Sequence, residues 1–225
     1  MKYILLISII IFLLACSTIE SEQDQLQLST VQEIIQTDSN SFKNIEDSLD
    51  SSSTNKQRTS LNNKEFLTFY KKFSAAIRNK DVVSFNECMD TNFGFYIIES
   101  PGALPFVCKV YDISKFKSKN NNTGFFELSF NNISNLPIFE ELPKVVCENE
   151  IYDKKGCFAN TINPLQDSQL WNYSDLNEKE IQPIQKLSSL INITVINTYN
   201  YTFYFSFIEN KWSISFIDIR IPCQA

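Results

Sequence analysis

The 225-residue chain contains no histidine and only four glycines. The first absence excludes Ser-His-Asp and Cys-His catalysis and most zinc hydrolase sites, and it removes the usual general base near neutral pH. The second excludes a glycine-rich phosphate loop, because the four are scattered along the chain. Basic residues are also in deficit, 20 against 26 acidic ones, for a net charge of −6. No basic patch of the kind that nucleic-acid binding demands is present, so a nucleic-acid partner is not expected. The six cysteines include no Cys-x-x-Cys pair, and no histidine stands ready to complete a zinc set. No metal site and no cofactor are therefore predicted.

Long apolar runs are scarce too, and the one at the start of the chain is informative. Residues 1–15 read MKYILLISIIIFLLA: one Lys, then an apolar stretch from Tyr3 to Leu14 broken only by Ser8. That is shorter than the roughly 20 residues a spanning helix needs, and it has the layout of an export signal. Leu13-Leu14-Ala15-Cys16 follows, with Ser17 after it. This stretch resembles the lipobox of bacterial lipoproteins. The resemblance implies that the Cys16 thiol receives a diacylglyceryl group and becomes the new N-terminus once residues 1–15 are removed. Several acyl chains on one residue hold a protein to a membrane, since each buried methylene adds about 0.8 kcal/mol. The resemblance thus predicts a chain in the cell envelope, attached to a membrane by lipid at Cys16.

Loss of residues 1–15 leaves a mature charge of −7, of which residues 17–60 carry −5. Their Ser-, Gln-, Asp- and Glu-rich composition, as in LDSSSTNKQRTS, offers too little apolar surface to offset ordering. Residues 16–60 therefore read as a lipid-bearing cysteine and a tether. Residues 61–225 hold most of the aromatic side chains and form one domain large enough for a core. The polar break KSKNNNTG at 117–124 reads as a surface loop. The abundance of Asn, Ile, Lys, Phe and Ser matches the bias of an AT-rich genome and is not taken as a functional signal.

The spacing over 63–79 predicts a helix with Phe66, Phe69, Tyr70, Phe73, Ala76 and Ile77 on one stripe, capped by Asn62 with Glu65. Asp81 starts a shorter helix through Met89. FGFYIIES reads as a strand closed by Pro101-Gly102, and INITVIN, YTFYFSFI and WSISFIDI alternate as three more. A two-residue turn at Glu209-Asn210 predicts the pairs Phe207–Trp212, Phe205–Ile214 and Phe203–Phe216 on one buried face. Ser206, Ser213 and Ser215 then fall on a half-exposed face. The fold class is α+β, a helix pair packed on a curved antiparallel sheet. The element order resembles the NTF2-like, or cystatin-like, cone, in which a sheet wraps a long N-terminal helix. IIESPGALPF, VVCENEIYDKKGCF and IDIRIPCQA also look like stretches of uncharacterised envelope lipoproteins of the Bacteroidetes, a resemblance that implies no activity.

Among the remaining cysteines, Cys147 and Cys157 enclose a segment with Gly156 that can turn back, and a bridge between them is the leading pairing. Two free buried thiols are the alternative, and Cys223 would pin the C-terminus if bonded to Cys88 or Cys108. Extending the hairpin register puts Tyr201 opposite Asp218 and Tyr199 opposite Arg220, gathering polar groups at one end of an apolar face. Some NTF2-like enzymes run acid–base chemistry from a Tyr and an Asp in such a pocket, which makes Asp218 and Tyr201 the catalytic candidates. The simpler role is an Asp218–Arg220 ion pair at the sheet rim. Trp171 and Tyr173, in QLWNYSDL, either stack on a sugar or partner or tuck into the domain edge. Three functions follow: a non-catalytic module binding a small molecule, glycan or envelope protein; a pocket enzyme using Asp218 with Tyr201; or a structural spacer or assembly component.

Overall fold

In the computed structural model of the chain, residues 51–223 are described, with side chains from residue 63 onward. The predicted signal peptide (1–15), Cys16 with its expected lipid, and the expected tether as far as residue 50 lie outside the described residues. Among the described residues no helix is long and apolar enough to cross a membrane.

Helix α1 runs from Ser51 to Arg78. Its stripe is the predicted one: Phe66, Tyr70 and Phe73 are fully buried, with Ala76 and Ile77 nearly so. The helix begins earlier than its apolar spacing indicates. Asn62 lies inside it and does not cap it, and residues 51–60, assigned above to the tether, are helical. Once a packed segment has nucleated a helix, each further residue adds a hydrogen bond at small cost, so a polar extension needs no buried face. Asp81 ends the break after α1 by capping α2 (Val82–Asn86), accepting from the Ser84 amide at 3.1 Å and the Ser84 hydroxyl at 2.7 Å.

Seven strands form one sheet: β1 (Phe95–Glu99), β2 (Phe106–Val110), β3 (Ile138–Phe139), β4 (Cys157–Asn160), β5 (Ile191–Asn197), β6 (Tyr201–Ile208) and β7 (Lys211–Asp218), in the order β2-β1-β7-β6-β5-β4-β3. The fold class is α+β, but the sheet is mixed and not wholly antiparallel. β1 runs parallel to β7, and β3 to β4. The hairpin to β2 occupies one edge of β1 and leaves the other free for the terminal strand. Backbone bonds from Ile214 to the Cys88 carbonyl (2.8 Å) and from Ile219 to the Ile98 carbonyl (3.0 Å) close that seam. Alternation reveals which face a residue takes; it carries no information about which strand lies alongside.

Both faces of the sheet are covered. On the first, α1 and α2 pack against Phe203, Phe205, Ile214 and Ile217. On the second, α3 (Pro164–Ser168), a 3-10 turn at Leu170–Tyr173 and α4 (Glu178–Ser188) bring Leu165, Leu170, Trp171, Ile184 and Leu187 against Tyr96, Ile98, Tyr204 and Phe216. The serines expected to face water are therefore buried: Ser206, Ser213 and Ser215 are each at most 1% exposed, and Ser215 donates to the Ser206 hydroxyl at 2.7 Å.

The β6–β7 turn is the predicted one, with Glu209 and Asn210 both at positive φ (49° and 61°), and Phe207–Trp212 and Phe205–Ile214 pair as expected. Beyond them the register shifts. Tyr204 faces Phe216, Phe203 faces Ile217, and Thr202 faces Asp218, so Ser215 is an extra residue in a β-bulge. The predicted pairs Phe203–Phe216 and Tyr201–Asp218 are not formed. Phe216 moves to the second face, where its ring stacks on Tyr96 at 5.3 Å.

Candidate functional site

The bulge separates the two catalytic candidates. Tyr201 stays in the first core, 2% exposed, and donates to the Asn131 carbonyl at 2.6 Å. Burial pushes its phenol far above the ordinary range, so it remains a donor at any physiological pH. Asp218 continues the other face, beside Tyr204 and Tyr152. Its carboxylate accepts from Arg220 three times: the backbone amide (3.0 Å), Nε (2.9 Å) and a terminal guanidinium nitrogen (2.7 Å). This bidentate pair is the structural role weighed above, and Asp218 lines none of the clefts described below. Trp171 is 1% exposed and belongs to the second core, so it presents no surface to a ligand; Tyr173 is exposed.

The cysteine pairing differs as well. Cys147 is bonded to Cys223, 76 residues away, and not to Cys157. The segment after Cys147 does turn back, but it closes early: Val145 bridges Tyr152, and the Val146 amide donates to the Ile151 carbonyl at 2.9 Å. Cys147 therefore sits near the hairpin tip at φ 54°, while Cys157 lies past its base on β4 and points into the core. There Cys157 meets the Tyr70 hydroxyl at 3.7 Å. The C-terminus is pinned, as a Cys223 bond would require, yet Cys88 and Cys108 stay free. Burial pushes the thiols of Cys88 and Cys157 up to about 11. At pH 8 roughly one such thiol in a thousand is ionised, and the thiolate is the reactive form. Iodoacetamide at pH 8 is thus expected to leave Cys88 and Cys157 unmodified in the folded protein and to label both once it is unfolded. Peptide mapping by mass spectrometry checks this; rapid labelling of Cys157 in the folded state would contradict its placement.

The accessible part of the predicted polar end is the β5–β6 turn. Asn200 takes φ 72°, a left-handed conformation that asparagine tolerates. The turn is held from three sides. The Asn197 side chain accepts from the Tyr199 amide (3.1 Å), and its own amide group donates to the Asn132 carbonyl (3.3 Å). Thr198 exchanges bonds with Gly156 at the start of β4, its hydroxyl accepting from the Gly156 amide at 2.9 Å. The Tyr201 hydroxyl fixes Asn131 beside it. These bonds position Tyr199, 47% exposed, between two clefts of about 330 and 270 Å³. Asn131, Tyr199 and Asn200 line both; the larger adds Tyr152, Lys154 and Lys155, the smaller Asn120 and Asn121.

The charges around the larger cleft are matched. Lys154 pairs with Glu140 and Lys155 with Glu150, each at 2.7 Å, and Lys154 also donates to the Glu141 carbonyl and lies 4.2 Å from the Phe158 ring centroid. Burial, with the Asp218 carboxylate nearby, pushes the Tyr152 phenol up to about 12, so it too stays protonated. What remains free is uncharged: amides, hydroxyls and an aromatic face. One acceptor is conspicuous. The Asn200 Oδ1 is shielded from solvent and has no hydrogen-bond partner. Among the described residues no group of three or more Cys, Asp or Glu is arranged to hold a metal ion. Of the residues singled out from the sequence, Tyr199 lines both clefts and Tyr201 the smaller one; the asparagines, whose abundance reads as composition, were not among them. No protein-family model, no curated protein and no solved structure matches the chain.

Proposed function

We propose that the chain is a lipid-anchored envelope protein whose domain, of the NTF2-like kind, binds an uncharged glycan in the Tyr199–Asn200 clefts without chemistry. Anchoring rests on the Leu13-Leu14-Ala15-Cys16 stretch, and the fold reading is supported by the long helix α1 lying along one face of the sheet. The observation that carries the binding reading is the unpartnered Asn200 Oδ1 beside the exposed Tyr199. A buried acceptor without a partner costs about 1–3 kcal/mol, which a sugar hydroxyl would return once the Asn200 side chain turns toward the cleft, while the tyrosine ring offers a stacking face. Neutral clefts suit a polyol better than an ion.

The test is titration calorimetry of the full, detergent-solubilised chain against a panel of neutral oligosaccharides. Asn200→Gly keeps the left-handed turn and removes the amide; Tyr199→Ala removes the ring. Each is expected to weaken binding by about tenfold or more, the loss of one good contact. Absence of binding across the panel, or binding that neither variant alters, would overturn the reading. For the anchor, the mature protein is expected to begin at an acylated Cys16, with the acyl chains absent from Cys16→Ser. An N-terminus upstream of residue 16 in the wild-type protein, or an unmodified thiol there, would refute lipidation.

A further inference from the structure

A second groove runs between the β1–β2 hairpin and α4, on the sheet face that carries the second core. Two cavities of about 260 and 440 Å³ adjoin there and share Lys109, Lys179 and Pro183. Lys186 completes the outer one. Lys179 and Lys186 are two helical turns apart on α4 and so share a face, and Lys109 reaches the same groove from β2.

Three features make this groove unlike the rest of an acidic chain. Among the described residues none of the three lysines makes an ion pair, a state they share with Lys64, Lys71, Lys80, Lys115, Lys117, Lys119 and Lys211; what sets them apart is that all three line one groove. Glu180 also lines the inner cavity, but its Oε2 is engaged at the start of α4, so three lysines stand against one carboxylate. Glu180 accepts from the Asn177 amide and side chain at 2.9 and 2.6 Å, completing the α4 capping box, and Asp90 accepts from the amides of Asn92 and Phe93. The floor is aromatic. Lys109 Nζ lies 5.5 Å from the Tyr96 ring centroid and 4.8 Å from that of Tyr111, and Lys186 Nζ lies 5.5 Å from that of Phe93. Cation–π contacts hold the ammonium groups over the rings without neutralising them. In addition, Pro183 sits inside α4 and lines both cavities, adding an apolar ring to the groove.

We propose that this groove binds a small anion carried on a sugar-like ring, a phosphate or carboxylate held by Lys109, Lys179 and Lys186. The ring rests on Tyr96, Phe93 and Pro183. The site is distinct from the neutral Tyr199–Asn200 clefts, which share none of these residues.

The test is calorimetric titration of the full, detergent-solubilised chain with glucose 1-phosphate, glucuronate and methyl glucoside. At least one anionic sugar is expected to bind, more weakly as salt rises. Glucose 1-phosphate alone would identify a phosphate ligand, glucuronate alone a carboxylate. The exposed double variant Lys179→Gln/Lys186→Gln is expected to lose about tenfold or more in affinity, as removal of charge-assisted contacts does, with an unchanged melting temperature. Tyr199→Ala is expected to leave anion binding intact, which separates this site from the glycan clefts. The proposal is overturned if neither anionic sugar binds at about 10 mM, a range that captures even weak ligands, or if the double variant binds them like the wild type.

Discussion

Replacing both Cys147 and Cys223 by serine is expected to destabilise the domain by about 4 kcal/mol, the entropy of closing a long loop in the unfolded chain. The bridge spans 76 residues, so the unfolded ensemble it restricts is large. For a domain of this size the loss corresponds to a fall in melting temperature of roughly 8–16 °C. A second consequence is local. Cys147 sits near the tip of the hairpin whose base carries Tyr152, Lys154 and Lys155, and Cys223 follows Ile221, which lines the smaller cleft. The bridge therefore ties a wall of one cleft to a wall of the other, and its loss is expected to weaken the proposed glycan binding along with stability. Calorimetric melting of the wild type with and without reductant, beside the double variant, checks the first expectation. The reduced wild type should melt like the variant. If reduction adds two hydrogens by mass and leaves the melting temperature unmoved, the bridge does not join these elements.

The reach of the sequence is clearest where the periodicity is local. Phe66, Tyr70 and Phe73 follow a helical stripe and are buried, and the Glu209-Asn210 turn sets the first pairs of the terminal hairpin. One residue further the local signal fails. Ser215 continues a Ser-Ile-Ser-Phe alternation without interruption, so nothing nearby marks it as an inserted residue; the bulge is selected by tertiary packing, which sends Phe216 to stack on Tyr96 and Asp218 to Arg220. The Asp218–Tyr201 pairing depended on that one position. The second layer was hidden differently. Ile181, Ile184 and Leu187 have helical spacing, but Pro183 between them reads as a break, although within α4 it is tolerated at the edge of the groove. The clefts were the least legible feature. Their walls come from residues 118–131, 150–155 and 198–201, brought together by single hydrogen bonds such as Tyr201 to Asn131, and no spacing rule connects such distant loops.

Phe205→Ala is expected to cost still more, about 4–5 kcal/mol, because it removes a fully buried ring and leaves a cavity that its neighbours cannot fill. The Phe205 ring lies 5.2 Å from Phe66, 5.8 Å from Phe69, 6.0 Å from Tyr70 and 5.3 Å from Phe73, so four rings of α1 converge on this one position of β6. Three of the four contacts are edge-to-face within 16° of perpendicular, an arrangement that a smaller aliphatic side chain cannot reproduce. The loss corresponds to a fall in melting temperature of roughly 8–20 °C. Phe207, two residues on in the same strand, supplies the control. It is 42% exposed and has Trp212 as its aromatic neighbour at 5.1 Å, so Phe207→Ala is expected to cost about 1 kcal/mol. Denaturant melts of the two variants separate the possibilities. Equal losses would mean that α1 does not seat on Phe205, and that the packing which orders the sheet, and with it the turn bearing Tyr199 and Asn200, lies elsewhere. A large loss confined to Phe205 fixes the helix on the sheet at the point where the aromatic stripe of α1 and the inward face of β6 coincide.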